Sequence, residues 1–560
     1  MANEDNRLTW CILKGKTISM VRRNSARNSF RALYISLFIV PFIIFLWAEL
    51  RYNVNMPEYD DYDSVLGWLS AFLQSGSLDD KIGLLFRQHM EHRIVFDRVV
   101  ELVELHALGV INFIYLDLFA FLGLTLLVLV IFQLGRRSGL KAWEMLPFPF
   151  LMLTFVQYSL ISWSMASIQV YWALLFTFIS FLFVTRYFDI KNMSIGFAFS
   201  AMAAFTSAGG LIGFPAIVIY YMANRKYTLA TLWLLGTSVV FWFYFIFFSY
   251  RPTAIGAVSH HYAFTHPLHY ATYVAMFLGN MIDTSVGALI LGVILLCATS
   301  FLLLRRHVRL DSWIFVACTF IIATGAADGL SRISSGMNAA LTSRYTPFGA
   351  ILVVLVYAGI ITSQQNKGPR TVIALSATIF SIIFYSLVFM HGISQLKTNQ
   401  ISKEYQLVIN STQSAAYSQM KVAINNKIFM PIANVYNRLP ISFPLHALCL
   451  YHKGYFGRID SVYSSGRAIH IDGWAAIQKR HTSAYSVIID MNGKYYPSWY
   501  GMLRPGIAKR FNQSGYLYSG YQSNIELPSN LKGWCHISVV VVGLTRSRFY
   551  ESPVRKIRCN

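Results

Sequence analysis

The chain has 560 residues, of which 55% are hydrophobic and 16% aromatic, while only 13% are charged. Soluble domains carry about a quarter charged residues, so this composition excludes an ordinary soluble globule. Repeated apolar runs near the ~20 residues needed to cross a bilayer indicate a polytopic α-helical membrane protein. The formal net charge of +22 does not indicate nucleic-acid binding, because many lysines and arginines flank the apolar runs and no basic stripe carries base-stacking aromatics.

The apolar runs predict eleven membrane spans, separated by short polar loops. The first span follows a basic N-terminal segment, residues 1–32, and no small-residue cleavage pattern comes after it, so we interpret it as an uncleaved span. Several spans are shorter than ~17 residues, which predicts broken or re-entrant helices, above all around Gly209–Pro215. The predicted spans are 33–50, 108–134, 146–160, 168–185, 194–208, 211–223, 229–250, 284–304, 312–327, 346–362 and 371–391.

Basic residues are concentrated in alternate loops. The positive-inside rule assigns these loops, together with the basic N-terminus, to the cytoplasmic side. An odd number of spans then puts the C-terminus on the outside. The basic loops are 136–141, 186–191, 225–226, 305–309 and 367–370.

Four segments are predicted to lie outside the membrane: the long first loop 51–107, the histidine-rich loop 251–283, the loop 327–344 and the chain after residue 392. The spans 33–391 and the first loop form one predicted membrane domain, followed by a connector at 392–454. From residue 455 to 560, strand-like runs such as His536–Val542 alternate with turn signals, which predicts a small β-sandwich outside the membrane. Every stretch with notable polar chemistry falls on this outer side.

The first loop begins with the acidic sequence NMPEYDDYD, residues 55–63. Crowded carboxylates repel one another, which raises one pKa and suits a general base, or they bind a divalent cation. The alternative is a solvated turn after Pro57, with Asp63 capping a helix that starts at Ser64. We favour Asp60 and Asp61 as functional residues, because they directly follow the first span.

The same loop contains QHMEHR, residues 88–93, within an amphipathic stretch. Glu91, His92 and Arg93 combine three hydrogen-bonding types that orient a sugar or bind a phosphate. The alternative is a salt-bridged interfacial helix, on which His89 and His92 share one face without a third metal ligand.

Two arginines lie in the third outer loop, where the positive-inside rule does not account for basic residues. Arg332 and Arg344 offer planar forks that suit phosphate oxygens, and Tyr345 adjoins the second. Gly336 would allow close approach of the backbone. Snorkelling at the bundle mouth, or pairing with Asp328, is the alternative.

The sequence lacks a nucleotide-binding loop, a dinucleotide fingerprint and a nucleophile elbow in the contexts that these motifs require. A channel or transporter is expected to carry ionisable residues inside its spans, whereas here the charges collect at one rim. These features favour an outward-facing enzyme that acts on a lipid-borne substrate. Cys449, Cys535 and Cys559 allow one disulfide in the C-terminal region, with the pairing left open.

The arrangement resembles the GT-C class of membrane glycosyltransferases, and in particular bacterial O-antigen glucosyltransferases. The resemblance covers about residues 33–391 as a pattern. Its motifs are Glu58–Asp61 in the first outer loop, the QHMEHR stretch, the turn Gly209–Pro215, Arg332xxxGly336 and Ala340–Tyr345.

The resemblance implies a protein of the bacterial inner membrane that moves a hexose such as glucose from undecaprenyl phosphate to O-antigen or another periplasmic glycan. Asp60 or Asp61 would deprotonate the acceptor hydroxyl for inverting attack, while Arg332 and Arg344 would stabilise the leaving phosphate. Some members use Mg²⁺ or Mn²⁺ at the acidic motif and others do not. The donor implies a lipid-sugar synthase and a flippase as functional partners. An O-antigen polymerase or ligase, or a non-enzymatic lipid or glycan transporter, is the alternative.

Overall fold

The computed structural model describes residues 32–305, 307–408 and 415–429, and most of 450–559 in segments separated by short gaps. Residues 1–31 of the predicted cytoplasmic segment and 430–449 of the predicted connector lie outside the described residues. The described chain is mostly helical and has a small β region at its C-terminal end, which confirms the predicted class.

The helices alternate between long apolar ones and short ones at the ends of a bundle. In chain order they are α1 (Ala32–Tyr52), α2 (Trp68–Gln74), α3 (Leu78–Phe86), α4 (Val95–Leu108), α5 (Phe113–Arg137), α6 (Pro147–Met152), α7 (Ser159–Ser162), α8 (Ser164–Val184), α9 (Ile190–Ala204), α10 (Gly213–Ala223), α11 (Tyr227–Phe241), α12 (Ala254–Thr265), α13 (Pro267–Leu278), α14 (Ser285–Leu304), α15 (Trp313–Arg332), α16 (Thr346–Ser363), α17 (Lys367–Val408) and α18 (Ala415–Asn425).

Eight helices in the described chain are long and apolar enough to cross a membrane: α1, α5, α8, α11 with the π-helical turn that extends it, α14, α15, α16 and α17. Polar side chains begin several of them. The Asn112 side chain accepts a hydrogen bond from the amide of Ile114, and Ser312 does the same for Phe315, so each satisfies an amide that has no partner within its helix.

Three of the eleven predicted spans are not long helices, so the count of eleven is not confirmed. The span predicted at 146–160 is broken into α6, a 3₁₀ turn and α7. Helix α9 has 15 residues and α10 has 11. At 1.5 Å per residue these measure about 23 and 17 Å, less than the ~30 Å hydrocarbon core.

The three shorter segments nevertheless run between two ends of the bundle. At one end, which we call the basic end, the guanidinium of Arg370 forms an ion pair with buried Glu144 at 2.7 Å, and the side chain of Asn224 donates to the Leu310 carbonyl at 2.9 Å. The basic loops that were predicted to share one side of the membrane meet here.

At the other end, which we call the site end, the first loop meets the turns that follow the shorter segments. The amide of Phe96 donates to the Phe205 carbonyl at 3.2 Å, and the amide of Ser159 donates to Ser343 Oγ at 3.1 Å. The predicted outer loops 51–107, 251–283 and 327–344 all contribute to this end.

Helices α13 and α14 pack backbone to backbone through two glycines. A Cβ at Gly292 would lie 1.7 Å from the carbonyl oxygen of Ala275, and one at Gly279 would lie 1.9 Å from that of Ala288. Such close approach is characteristic of small residues between membrane helices. This contact fixes α13 beneath the site end.

The first loop folds into short elements. Helical structure is present where a helix starting at Ser64 was considered, as a π-helical turn, Tyr62–Gly67, followed by α2. The alternative interpretation of QHMEHR as part of a salt-bridged interfacial helix does not hold. Residues 88–93 form a tight hairpin between α3 and α4, in which His89 and His92 exchange two backbone hydrogen bonds of 2.8 Å.

The C-terminal β region consists of two sheets over a shared apolar core. Its strands are β1 (Leu450–Tyr451), β2 (Tyr455–Ser465), β3 (Ala468–Ile477), β4 (Thr482–Ser483), β5 (Ser486–Met491), β6 (Lys494–Pro497), β7 (Trp499–Met502), β8 (Gly520–Glu526), β9 (Gly533–Val542), β10 (Phe549–Glu551) and β11 (Arg555–Cys559), with helix α19 (Pro505–Phe511) between β7 and β8. One sheet has the order β1-β10-β9-β5-β6, with β11 also on β9, and the other has β2-β3-β8-β7, with β4 on β3.

The core of the β region follows the alternation of the strands. Alternate residues of β3 and β9, such as Ile469, Ile471, Val539 and Val541, are buried between the sheets. Cys535 is disulfide-bonded. Cys449 and the side chain of Cys559 lie outside the part of the chain that the structure describes, so the predicted disulfide is seen from one end only.

Candidate functional site

The acidic motif of the first loop is a tight turn at the site end. Tyr59 has a φ of +47°, a conformation that costs a residue with a side chain about 1–3 kcal/mol. Asp61 holds this turn, because its Oδ2 accepts the amide of Glu58 at 3.0 Å and its Oδ1 accepts the amide of Met165 at 2.9 Å. The motif is therefore fixed against the start of α8.

The two predicted carboxylates differ sharply in environment. Asp61 is completely buried, and burial raises its pKa to about 7, although nearby Lys403 and the two backbone amides oppose the rise. The side chain of Asp60 is 39% exposed and faces the solvent side of the same turn. Only Asp60 can meet a substrate without rearrangement of the turn.

His89 stands between Asp60 and Asp63. Its Nε2 lies 3.8 Å from Asp60 and its Nδ1 lies 3.6 Å from Asp63, which are ion-pair rather than hydrogen-bond distances. Burial lowers the pKa of His89, but the two carboxylates outweigh it and raise that pKa to about 9. The same pairing lowers the pKa of Asp60 and Asp63, so the triad carries an imidazolium between two carboxylates at neutral pH.

The hairpin 88–93 joins this acidic triad to a cavity. Its turn contains Met90, whose φ of +49° is again a strained value for a residue with a side chain. On one side His89 reaches the acidic motif, while Glu91 and His92 line the cavity on the other. A six-residue segment thus connects the two groups of side chains predicted from the sequence.

His92 presents one defined hydrogen-bond donor to the cavity. Its Nδ1 accepts the amide of Ala208 at 3.1 Å, so in the neutral ring the proton sits on Nε2. Burial, together with the positive charges of Arg332 and Arg344, lowers the pKa of His92 to about 3. The ring is therefore neutral at physiological pH.

Arg332 is held by two carboxylates. Its Nη2 lies 3.1 Å from Glu91 Oε2 and its Nε lies 3.6 Å from Asp328. The other oxygen of Glu91 accepts the hydroxyl of Thr253 at 2.8 Å, at the start of α12. Arg332 therefore pairs with Asp328, which was the alternative drawn from the sequence, and it also lines the cavity.

Arg344 makes no ion pair with a carboxylate in the described part of the chain. Its guanidinium lies 5.4 Å from the Trp163 ring and 5.1 Å from the Tyr345 ring, and its Nη2 donates to the Tyr345 hydroxyl at 3.1 Å. Aromatic faces orient a cation without neutralising it. Arg344 lies within electrostatic range of Asp60 and Asp328, but no described carboxylate occupies its guanidinium, which is therefore open to a ligand in the cavity.

The cavity has a volume of about 440 Å³ and is polar at the site end and apolar below. Glu91, His92, Arg332, Arg344 and Tyr345 line its polar part. Its apolar part is lined by side chains from α8, the turn before α10, α13 and α16, among them Val170, Leu211, Ile212, Phe277 and Phe348. A ligand with a charged head and an apolar tail matches this division.

Arg93, which was predicted to bind substrate with Glu91 and His92, is turned away from this cavity. It is 1% exposed, and its guanidinium donates to the backbone carbonyls of Tyr244, Phe86 and Phe248 at 2.8, 2.6 and 2.9 Å. These bonds anchor the hairpin to the end of α11. The contacts favour a structural part for Arg93.

Gly336 serves conformation rather than close approach. Its φ is +98°, in the region that favours glycine, and a Cβ there would meet nothing within 4 Å. The turn at Gly336 ends the 3₁₀ extension of α15 and redirects the chain toward Arg344.

The donor set does not fit a dedicated metal site. Among the described residues no group of three His, Cys, Asp or Glu side chains is arranged to hold a metal ion. Both oxygens of Asp61 already accept backbone amides, and Asp60 faces the imidazolium of His89, which repels a cation. We therefore assign no step to Mg²⁺ or Mn²⁺.

Sequence reasoning missed Lys403 and Trp163. Lys403 is 3% exposed and forms a 3.0 Å ion pair with Glu58, yet it lies far along the chain from the acidic motif in a region read as a connector. Trp163, whose ring faces the Arg344 guanidinium, directly precedes α8 and was not singled out as a candidate. No local pattern marks either residue, because each acts through a contact that only the fold creates.

No protein-family model, curated protein or solved structure matches this chain.

Proposed function

We propose that the protein is a membrane glycosyltransferase that moves a sugar, such as a hexose, from polyprenyl phosphate to a hydroxyl of a surface glycan on the periplasmic face of a bacterial inner membrane. The observation that carries the proposal is a cavity that has Arg344 in its polar part and apolar lower walls. Asp60 does not line this cavity, but it is accessible and close enough to Arg344 that the guanidinium helps to lower its pKa. A sugar on a lipid phosphate needs a positively charged surface for the phosphate and an apolar surface for the lipid chain.

The cavity accounts for donor binding. The phosphate of the donor lies against Arg344, with Arg332 and the Nε2–H of His92 as further donors, because guanidinium and N–H groups satisfy phosphate oxygens. The polyprenyl chain leaves between the apolar walls formed by Val170 and Phe277 toward the lipid.

Asp60 acts on the acceptor. Its carboxylate takes the proton of the acceptor hydroxyl while the hydroxyl oxygen forms a bond to the anomeric carbon. The bond between that carbon and the phosphate oxygen breaks, and its electron pair remains on the phosphate, where Arg344 and Arg332 stabilise the developing charge. Attack opposite the leaving phosphate inverts the anomeric configuration.

Two further features support the assigned location. Disulfide-bonded Cys535 suits an oxidising compartment such as the periplasm. The basic loops meet at the end of the bundle opposite the site, as expected if that end faces the cytoplasm.

The test is transfer by the purified protein in lipid vesicles, with radiolabelled polyprenyl-phosphate glucose as donor and extracted surface glycan as acceptor. We expect a labelled glycan in which the mass rises by one hexose. Asp60→Asn should lower the rate at least about a hundredfold, since it removes the proton acceptor. Asp79→Asn, an exposed acid of the same loop, is the matched control and should transfer normally.

The alternatives give different products in the same assay. A polymerase or ligase would add or join whole repeat units rather than one sugar, and would not depend on Asp60. A transporter would move labelled lipid across the bilayer without any new glycosidic bond. Either product pattern from the wild-type protein would overturn the proposal.

A further inference from the structure

Helix α17 extends far beyond a membrane crossing and brings a lysine back to the acidic motif. It has 42 residues, about 63 Å at 1.5 Å per residue, roughly twice the hydrocarbon thickness. Near its C-terminal end Lys403 is buried, with its Nζ 3.0 Å from Glu58 Oε2. The same ammonium donates to the carbonyl of Ser162.

Glu58 links Lys403 to Asp61 in the acidic turn. Its Oε2 also accepts the hydroxyl of Ser162 at 3.0 Å, and its amide donates to Asp61 Oδ2 at 3.0 Å. Lys403, Glu58 and Asp61 therefore form one continuous set of contacts that ends at the turn carrying Asp60. A second contact from the same region, from the Gln419 side chain to Asp63 Oδ1 at 3.2 Å, lies on the far side of this turn.

The buried ammonium is the main positive charge in an acidic environment. Burial disfavours the charged form of Lys403, but the carboxylates outweigh this and raise its pKa. Without Lys403, the remaining carboxylates would repel one another in a poorly solvated space. The titratable groups that face Asp61 are Lys403 from α17, Glu58 and Tyr62 from its own loop, Glu101 from α4 and Asp117 from α5.

We propose that Lys403 is a positioning residue for the acidic turn: it holds Glu58 and Asp61, and through them Asp60, so that activation of the acceptor depends on the extension of α17 beyond the membrane. The inference rests on the proposed function for its catalytic consequence. The contact set itself is independent of which reaction the protein performs.

The catalytic test compares Lys403→Met with Lys397→Met. Lys397 is a matched lysine six residues earlier on the same helix, and it makes no ion pair with a carboxylate in the described chain. Loss of the ammonium lets the pKa of Asp61 rise above about 7, so its charge and its hold on the turn are lost at higher pH. We expect the acidic limb of the transfer rate to move about one pH unit upward, an about tenfold loss at pH 6. Lys397→Met should keep the wild-type profile, and a wild-type profile for Lys403→Met would overturn the proposal.

A test without activity uses a double-mutant cycle on thermal unfolding in detergent. Lys403→Met and Glu58→Gln should each lower the melting temperature, and the double variant should lose clearly less than the sum, since each single change leaves an unpaired buried partner. Additive losses would contradict the positioning role. A coupled cycle in a protein that transfers no sugar would support Lys403 as the holder of the turn and reject the proposed function, so the two failures are distinguishable.

Discussion

At the scale of residues, the site depends on conformations that a side chain normally avoids. Tyr59 and Met90 both have positive φ angles, and they lie next to the two partners of the Asp60–His89 ion pair. Strain of this kind persists only where the surroundings fix it. Here the fixing contacts are the Asp61 bonds on one side and the Arg93 bonds to backbone carbonyls on the other.

The first prediction concerns His89 and pH. Its pKa is raised from 6.5 to about 9, so its contribution to stability is complete below pH 6.5 and is lost as pH rises through about 9. We expect the wild-type melting temperature to fall by several degrees between pH 7 and 10, for a contribution of about 1–3 kcal/mol. His89→Gln should remove this part of the dependence, whereas His106→Gln, at an exposed position of α4, should retain it. Parallel curves for wild type and His89→Gln would rule out the ion-paired imidazolium.

The second prediction concerns Arg344. Removing its guanidinium takes away a charge-assisted contact to a phosphate, so Arg344→Ala should weaken binding of the lipid-phosphate sugar about ten- to a hundredfold. Arg51→Ala is the control, because Arg51 is exposed and contacts only the neighbouring Tyr52 ring among described groups. Binding of labelled donor to the protein in nanodiscs measures both. If both variants lost the same donor affinity, the effect of Arg344 would be explained by general surface charge and not by a phosphate contact.

At the scale of elements, the hairpin 88–93 and the short segments α6, α7, α9 and α10 explain where sequence reasoning failed. The amphipathic pattern around QHMEHR fits a helix locally, but the backbone instead pairs His89 with His92, and Arg93 secures it from a distant part of the chain. The apolar runs at 146–160 and 211–223 were predicted as short spans with broken or re-entrant helices, and the structure has short or broken helices there. Their breaks depend on turns whose packing no hydropathy pattern records.

The third prediction concerns the contact between α13 and α14. Gly292→Val should abolish folded protein, because the new Cβ would lie 1.7 Å from a backbone oxygen that cannot move aside. Gly368→Ala is a suitable control, since a Cβ there meets nothing within 4 Å. The measurement is the yield of monodisperse protein after extraction in mild detergent. Normal yield and melting temperature for Gly292→Val would exclude the close packing of these helices.

At the scale of the whole molecule, charge divides the bundle into a basic end and a site end. The charges of the loops and the positions of Asp60, Arg332 and Arg344 allowed this division to be predicted. Each of these residues lies beside an apolar run, and counting the runs from the N-terminus assigns each loop to one end of the bundle. Lys403 could not be predicted, since its partner Glu58 lies several hundred residues earlier in the chain. The sequence could not decide between Asp60 and Asp61 either. Asp61 is buried because it packs against the start of α8, where it accepts the amide of Met165, and this contact exists only in the folded chain.

The fourth prediction tests the orientation of the two ends. In intact cells stripped of their outer membrane, a membrane-impermeant maleimide should label Ser77→Cys, at an exposed position of the first loop, and should not label Tyr227→Cys, at an exposed position near the basic end. Permeabilised cells should give labelling of both. The reverse pattern would place the site in the cytoplasm and exclude a periplasmic acceptor.

The length of α17 predicts that the protein responds to the thickness of the lipid bilayer around it. The segment Lys367–Gln400 of this unbroken helix is long and apolar enough to cross a membrane, and Lys403 beyond it pairs with Glu58 of the acidic turn. A thicker or thinner bilayer changes the tilt and depth of a membrane helix, and an unbroken helix carries that displacement to its far end. In vesicles of graded acyl-chain length, we therefore expect the proposed sugar transfer to be fastest at the hydrocarbon thickness that keeps Lys403 paired with Glu58.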